Sequence, residues 1–506
     1  MPKSFGIEAA QKALETGKPA LVWRKQVADT DTPVSAALKL MEAERGDFLL
    51  ESVEGGETRG RHSLIGLAPD LVFRADDEQA AINPHWLTDR DAFEPEQAGS
   101  LDALRTLVKR CQMDVPEGLP SALACLVGYF GYETIGLVEK LPRAADSELD
   151  LPDMLFVRPT VIVIFDRLAD EMFLVAPVWP ETSGDAKSKI ASAEERLDEV
   201  ERQIAAPVPA LTAEYKDLTP DNLAFEPKLS PEQYEDMVLR AKDYIQAGDI
   251  FQVVLAQRFT APFALPPVEL YRALRRINPS PFLFFLDLPG FALIGSSPEI
   301  LVRARDGEVT IRPIAGTRPR GANAAEDKTN RSSLLADPKE RAEHLMLLDL
   351  GRNDVGRVSA ANSVEVTDSY TVEFYSHVMH IVSNVVGELA PDKDALDALF
   401  AGFPAGTVSG APKVRACQII AELEPETRGA YAGGVGYFSP DGSMDSCIVL
   451  RTGIVKDGML HVQAGAGIVA DSDPTYELRE CEAKSGALLA AAKEALRRAQ
   501  DVGFGQ

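Results

Sequence analysis

Basic residues are in short supply: 52 Lys and Arg stand against 78 Asp and Glu, a formal net charge of -26. A field of that sign repels phosphate backbones and anionic membrane surfaces, which argues against nucleic-acid or membrane partners. Cysteine is scarce as well. Cys111, Cys125, Cys417, Cys447 and Cys481 are odd in number and far apart, with no Cys-x-x-Cys pair, so neither a zinc site nor a disulfide framework is signalled. No apolar run approaches membrane-spanning length, and Met1 to Phe5 lack an apolar signal core, so the expected compartment is the cytoplasm. Nucleotide motifs are missing too. The run Gly402 to Lys413 fails the Walker spacing, and no Gly-x-Gly-x-x-Gly follows a strand.

What is present is an ordinary globular composition, 45% hydrophobic and 26% charged over 506 residues, too long for one simple core. Apolar residues at Ile190, Ala193, Leu197, Val200 and Ile204 predict a helix across 184–205. A Pro-rich, polar stretch to Asn222 follows and reads as a linker, dividing the chain into 1–222 and 223–495. Ser230, Pro231 and Gln233 form a capping box that opens a helix ending at Gly248. Asp306-Gly307 predicts a hairpin turn between Ile300–Arg305 and Val309–Ile314. Segments 433–438, 446–455 and 459–463 predict an antiparallel meander. Runs of strands and helices without βα alternation point to the α+β class.

Two helix starts, Asp337-Pro338 and Asp473-Pro474, precede carboxylates at helical spacing. Glu340 and Glu343 share one face, as do Glu477 and Glu480. Two such pairs suit a magnesium ion, which takes hard oxygen ligands. The same spacing also fits capping residues and a solvated acidic face. The glycine-rich runs 402–413 and 465–467 are suited to holding a carboxylate on backbone N–H groups, or are tight packing turns. His377 and His380 fall on opposite faces of a strand, so they are no obvious metal pair. His380 is either an acid–base group or a core histidine.

Several phrases in this order resemble the chorismate-utilising enzyme family. They are Ile311–Arg318, Glu343–Leu347, Leu350–Asp354, Gly406–Lys413 and Gly465–Val469, within a similarity running from about residue 225 to 490, with a weaker match at Leu49–Ser52. The resemblance implies antiparallel sheets packed with helices in a layered sandwich, and a magnesium-dependent lyase. It assigns Glu340, Glu343, Glu477 and Glu480 to the metal. Gln252, Thr407, Tyr431, Arg451, Gly465, Ala466, Gly467 and Lys484 match substrate positions. Glu299 matches the acid facing the C4 hydroxyl of chorismate and His380 the histidine of pyruvate elimination, with Thr407 a further catalytic candidate.

Two departures choose among the family's activities. Water-adding members carry a lysine where this chain has Gln252, and members with a lysine nucleophile carry it where this chain has Ala315. External ammonia is then the expected nucleophile, with anthranilate and pyruvate the expected products, at the head of tryptophan biosynthesis. An aminodeoxychorismate-forming sister activity is the alternative. The family also implies a glutamine amidotransferase subunit as ammonia donor, since no second domain with a nucleophilic cysteine follows the catalytic region. A tryptophan inhibitor site is implied at Glu51, Ser52, Pro281, Phe282, Leu283, Val435, Tyr437 and Cys447, with Arg61 or His62 as its basic contact. Leu-Leu-Glu-Ser is equally a plain strand end, and Phe282-Leu283 departs from the Tyr-Met common in the family.

Overall fold

A computed structural model describes residues 3–54, 58–209, 223–375 and 378–500. Its frame is two antiparallel sheets, each of twelve strands among the described residues, with helices on their outer faces. The architecture is α+β, as the sequence pattern predicts.

Both segments of the chain contribute to both sheets. In the first sheet, Asp47–Glu54 pairs with Phe282–Leu288, so N-terminal strands continue directly into C-terminal ones. In the second, Leu126–Phe130 pairs with Gly434–Phe438. Strand alternation explains how these seams are sealed. Val127 and Tyr129 join a core with Phe48, Phe284 and Val435, while Leu126 and Phe130 point to the helices on the other face. Each buried Phe in such a seam contributes about 1.5–3 kcal/mol relative to an exposed one.

The helices begin where their capping residues sit. Ala186–Ile204 starts at Asp185, whose side chain accepts from Ser188 N at 2.8 Å, and it buries the five predicted apolar residues. Pro231–Ala247 carries the Ser230–Gln233 capping box and ends at Gly248 with φ 86°. The hairpin turn has Asp306 at φ 52° and Gly307 at φ 75°, the left-handed pair that a two-residue turn requires. Residues 210–222 of the expected linker lie outside the described residues, as does His377.

The expected meander differs from the observed one. Residues 446–455 do not form one strand. Met444–Ile448 belongs to the second sheet and Thr452–Lys456 to the first. Between them the chain changes sheets, and Arg451 takes a left-handed φ of 49°. Alternation of apolar residues carries no sign of such a switch, because both halves are buried strands.

Candidate active site

The two carboxylate helices form as their starts predict. Asp337 accepts from Lys339 N at 2.9 Å and Glu340 N at 3.3 Å, opening the helix Pro338–Gly356. Asp473 accepts from Tyr476 N at 2.9 Å at the start of Pro474–Gln500. Glu343 from the first helix and Glu477 and Glu480 from the second line one cavity of about 540 Å³. Burial pushes the Glu343 carboxyl up, and the negative charges of Glu340 and Glu480 push it further. Glu477 is raised by burial and by Glu480.

Glu340 stands apart from these three. Its Oε1 is 2.7 Å from Arg318 Nη1 and its Oε2 accepts from Thr317 N at 3.3 Å, and it does not line the cavity. Among the described residues, no three His, Cys, Asp or Glu side chains are gathered as a ready metal site. The donor chemistry nonetheless fits a hard cation. Among the described residues, Glu343 and Glu477 form no ion pair, and Glu480 alone of the three is matched, with Lys484 at 2.7 Å. Mutually repelling carboxylates on facing helices are what an incoming divalent ion would relieve.

Glu480 also lines a second cavity of about 280 Å³, together with Arg451, Lys484, Tyr375 and Asn278. Lys484 Nζ donates to Gly465 O at 2.8 Å. Neighbouring groups approach the strand closely at Gly465 and Gly467, the nearest to Gly465 being the Leu255 carbonyl oxygen at 2.8 Å from a Cβ placed there. A Cβ on Gly465 would lie 2.9 Å from Tyr431 Oη, and one on Gly467 would lie 2.7 Å from Gln252 Nε2. Ala466 is fully buried between them. Gln252 and Tyr431 are thereby packed against the strand that carries Gly465 and Gly467.

Glu299 is 7% exposed. Thr407 Oγ1 donates towards both of its oxygens, at 3.2 Å each. Burial pushes its pKa up to about 8, against the Thr407 hydrogen bond and the nearby Arg451 charge. At neutral pH it therefore holds a proton. His380 Nδ1 is 3.2 Å from Gly316 O and 3.0 Å from Thr317 Oγ1. A carbonyl oxygen can only accept, so Nδ1 carries the hydrogen and Nε2 keeps its lone pair. Burial lowers the His380 pKa to about 4, and Arg451 adds to the effect. The site thus pairs a protonated carboxylic acid with a neutral imidazole, both within the field of Arg451.

A third cavity, about 670 Å³, gathers Glu51, Ser52, Arg61, Pro281, Phe282, Leu283, Val435, Tyr437 and Cys447. All nine expected inhibitor-site residues line it, as does His62. The Glu51 carboxylate is already engaged. Tyr271 Oη donates to it at 2.6 Å, and Arg275 and Arg167 both bind it. Arg61 is held by Asp166 at 2.7 Å. Sequence reasoning missed the other charged walls of this cavity, Arg303, Arg305, Arg312, Glu373 and Asp445. Alternating Arg303 and Arg305 on one strand was the available signal. It also missed Tyr375, which lines this cavity and the one holding Arg451 and Lys484.

Residues 46–490 match the family described as chorismate binding enzyme. Anthranilate synthase component 1 of Cereibacter sphaeroides is 49% identical over 499 residues, covering 99% of each chain. That of Thermus thermophilus is 46% identical over 93% of this chain and 97% of its own length. The crystal structure of anthranilate synthase component I from Streptococcus pneumoniae superposes with a TM-score of 0.75 at 35% identity, covering 92% of this chain and 99% of that one. The menaquinone-specific isochorismate synthase from Escherichia coli shares the fold at a TM-score of 0.69 and 19% identity, over 96% of this chain and 99% of its own. By the family match and by these full-length relatives, the chain belongs to the chorismate-binding enzyme family, alongside proteins named anthranilate synthase component 1.

Proposed function

We propose that this chain converts chorismate and ammonia to anthranilate, pyruvate and water. The observation that carries the reading is the buried Glu299 hydrogen-bonded by Thr407, where burial favours the protonated carboxyl, with His380 kept neutral by its own burial. Ammonia attacks C2 of chorismate while the C4 hydroxyl departs. Hydroxide is a poor leaving group, so a proton must arrive as the bond breaks, and Glu299 is the group that holds one. Lone-pair Nε2 of His380 then takes the C2 proton as enolpyruvate leaves and the ring becomes aromatic. Arg451 and Lys484 bring positive charge to the substrate carboxylates inside an otherwise acidic protein.

Gln252 offers no base for water and Ala315 no nucleophile, which leaves ammonia as the attacking group. Glu343, Glu477 and Glu480 would hold magnesium, with Glu340 the fourth carboxylate nearby. When bound, the ion offsets substrate charge and polarises the ring carboxylate. A glutamine amidotransferase subunit is the proposed ammonia donor, and the cytoplasm the proposed location. No described helix is long and apolar enough to cross a membrane. The cavity around Ser52, Phe282 and Tyr437 is proposed to take tryptophan as inhibitor, its ring among Pro281, Phe282, Leu283 and Tyr437.

The test uses the purified chain with chorismate, magnesium and an ammonium salt at mildly alkaline pH. Fluorescent anthranilate and an equal amount of pyruvate are expected. An aminated product that needs a separate lyase before it aromatises would overturn the reading.

A further inference from the structure

Below the strand that carries Gln252 sits a cluster the chemistry above does not use. Arg428 is 2% exposed and Glu424 5% exposed. Arg428 Nε donates to Glu424 Oε2 at 2.8 Å, and Nη2 donates to Glu424 Oε1 at 2.5 Å. The guanidinium also reaches outward in two directions. Nη1 donates to Val408 O at 2.8 Å, and Nη2 to Val254 O at 2.7 Å. Glu424 accepts in turn from Ala256 N at 2.8 Å.

These contacts fall on the segments that present the candidate chemical groups. Val408 follows Thr407 in the short 3-10 turn Gly406–Val408. Val254 and Ala256 lie in the strand that opens at Gln252. Val254 N donates to Ser409 O at 2.9 Å, so the turn and the strand are also joined directly. Arg428 lies 4.7 Å from the Tyr132 ring and 5.6 Å from the ring of Tyr431. One side chain thus touches the supports of Thr407, Gln252 and Tyr431 together. The carbonyl contacts need a planar fork with several fixed donors, which lysine lacks.

We infer that Arg428, oriented by Glu424, is a positioning residue of the reaction: it holds the Thr407 turn against the Gln252 strand so that Thr407 meets Glu299. This rests on the anthranilate-forming reading. Arg428 touches no reacting atom. A pair kept only for folding would lower stability when altered and leave the acid chemistry of Glu299 alone. Two carbonyls at the backs of two site segments make a different demand. Loosening them lengthens the Thr407–Glu299 hydrogen bond, which now favours the ionised carboxyl.

The test compares Arg428→Lys, Glu424→Gln, Thr407→Val and the double variant Arg428→Lys/Thr407→Val, each with its thermal unfolding recorded. In Arg428→Lys we expect kcat to fall at least tenfold while the KM for ammonia changes less than threefold. The alkaline limb of its pH–rate profile moves upward, as it does in Thr407→Val. Glu424→Gln changes in the same direction, and adding Arg428→Lys to Thr407→Val costs little more. Unchanged kcat and pH limb in both single variants would overturn the inference, as would effects that simply multiply in the double variant. Unfolding of both Arg428→Lys and Glu424→Gln would also overturn it, by making the cluster purely structural. Infrared difference spectra against Glu299→Gln read the protonated carboxyl without turnover. A shifted acid band in Arg428→Lys alongside no anthranilate from wild type would keep the positioning role and remove the reaction assigned to it.

Discussion

The cavity around Glu343, Glu477 and Glu480 and the cavity around Ser52 and Phe282 are built on opposite charge plans. Five acidic side chains, Glu343, Asp471, Asp473, Glu477 and Glu480, line the first against Lys339 and Arg479. In the second, each basic wall is already matched. Arg61 meets Asp166, Arg303 and Arg305 meet Asp445, and Arg312 meets Glu373. An acidic surplus is suited to a metal cation that arrives with an anionic substrate. Charges already engaged in ion pairs, with Arg303 and Arg305 sharing Asp445, and set among apolar walls, are suited to a zwitterion, which brings both an ammonium and a carboxylate.

Removing one carboxylate from the acidic cavity should have the largest effect. Glu343→Gln keeps the volume and deletes a charge, and we expect kcat/KM to fall by about 100-fold or more, the upper end for support of a metal site. Magnesium should raise the melting temperature of the wild type and no longer do so in the variant. Activity with an unaltered magnesium titration would break the first half of the comparison. Glu299→Gln comes next, with a loss of about 10²–10⁴ in rate, the span of a general acid. For the wild type at a constant concentration of free ammonia, rate should fall as pH rises through about 8, where Glu299 loses its proton. The acidic fall belongs near 4, where His380 gains one. The Gln variant should lack the alkaline fall, and stopped assays across pH 4–10 read both limbs.

How far the sequence foretold these cavities follows from what each rests upon. Capping residues and periodicity are local, so the helices at 186–204, 231–247 and 338–356 were legible, along with the Asp306-Gly307 turn. The α+β class followed from the same signals. That both sheets are shared between the two segments was not legible, because strand partners such as Asp47–Glu54 and Phe282–Leu288 are more than 200 residues apart in the chain. The sheet change at Arg451 was hidden for a further reason. Its left-handed backbone is held by surroundings that no local pattern reports. Of the acidic set, spacing put Glu340 with Glu343, and Glu477 with Glu480, on one face of each helix, but it could not foresee that Arg318 draws Glu340 aside. The paired-charge cavity was legible residue by residue only through the family resemblance, and its arginine pairs were missed because each partner lies on a distant strand.

The second cavity is tested by crowding it. Ser52→Phe places a ring where the zwitterion would sit, and the tryptophan concentration for half inhibition should rise more than about tenfold, a cost above 1.4 kcal/mol. Its kcat without tryptophan should stay near wild type, since Ser52 lies in the Glu51 cavity and not in either cavity shared by Glu480. Unchanged sensitivity would remove tryptophan from this site.

The smallest effect sharpens the charge argument most. Arg312 and Glu373 are each 38% exposed as a pair, and such a pair contributes about 0–1 kcal/mol because water screens it. Arg312→Ala should therefore leave urea unfolding within about 1 kcal/mol of wild type. It also leaves the Glu373 charge unmatched in the cavity wall, so a bound carboxylate should lose no more than about 1 kcal/mol, roughly fivefold in Kd. Calorimetric titration with tryptophan measures that shift directly. A hundredfold loss would mean that one arginine, rather than a ring of paired charges, anchors the ligand, and the two cavities would then share a single design in which unmatched charge waits for its counter-ion.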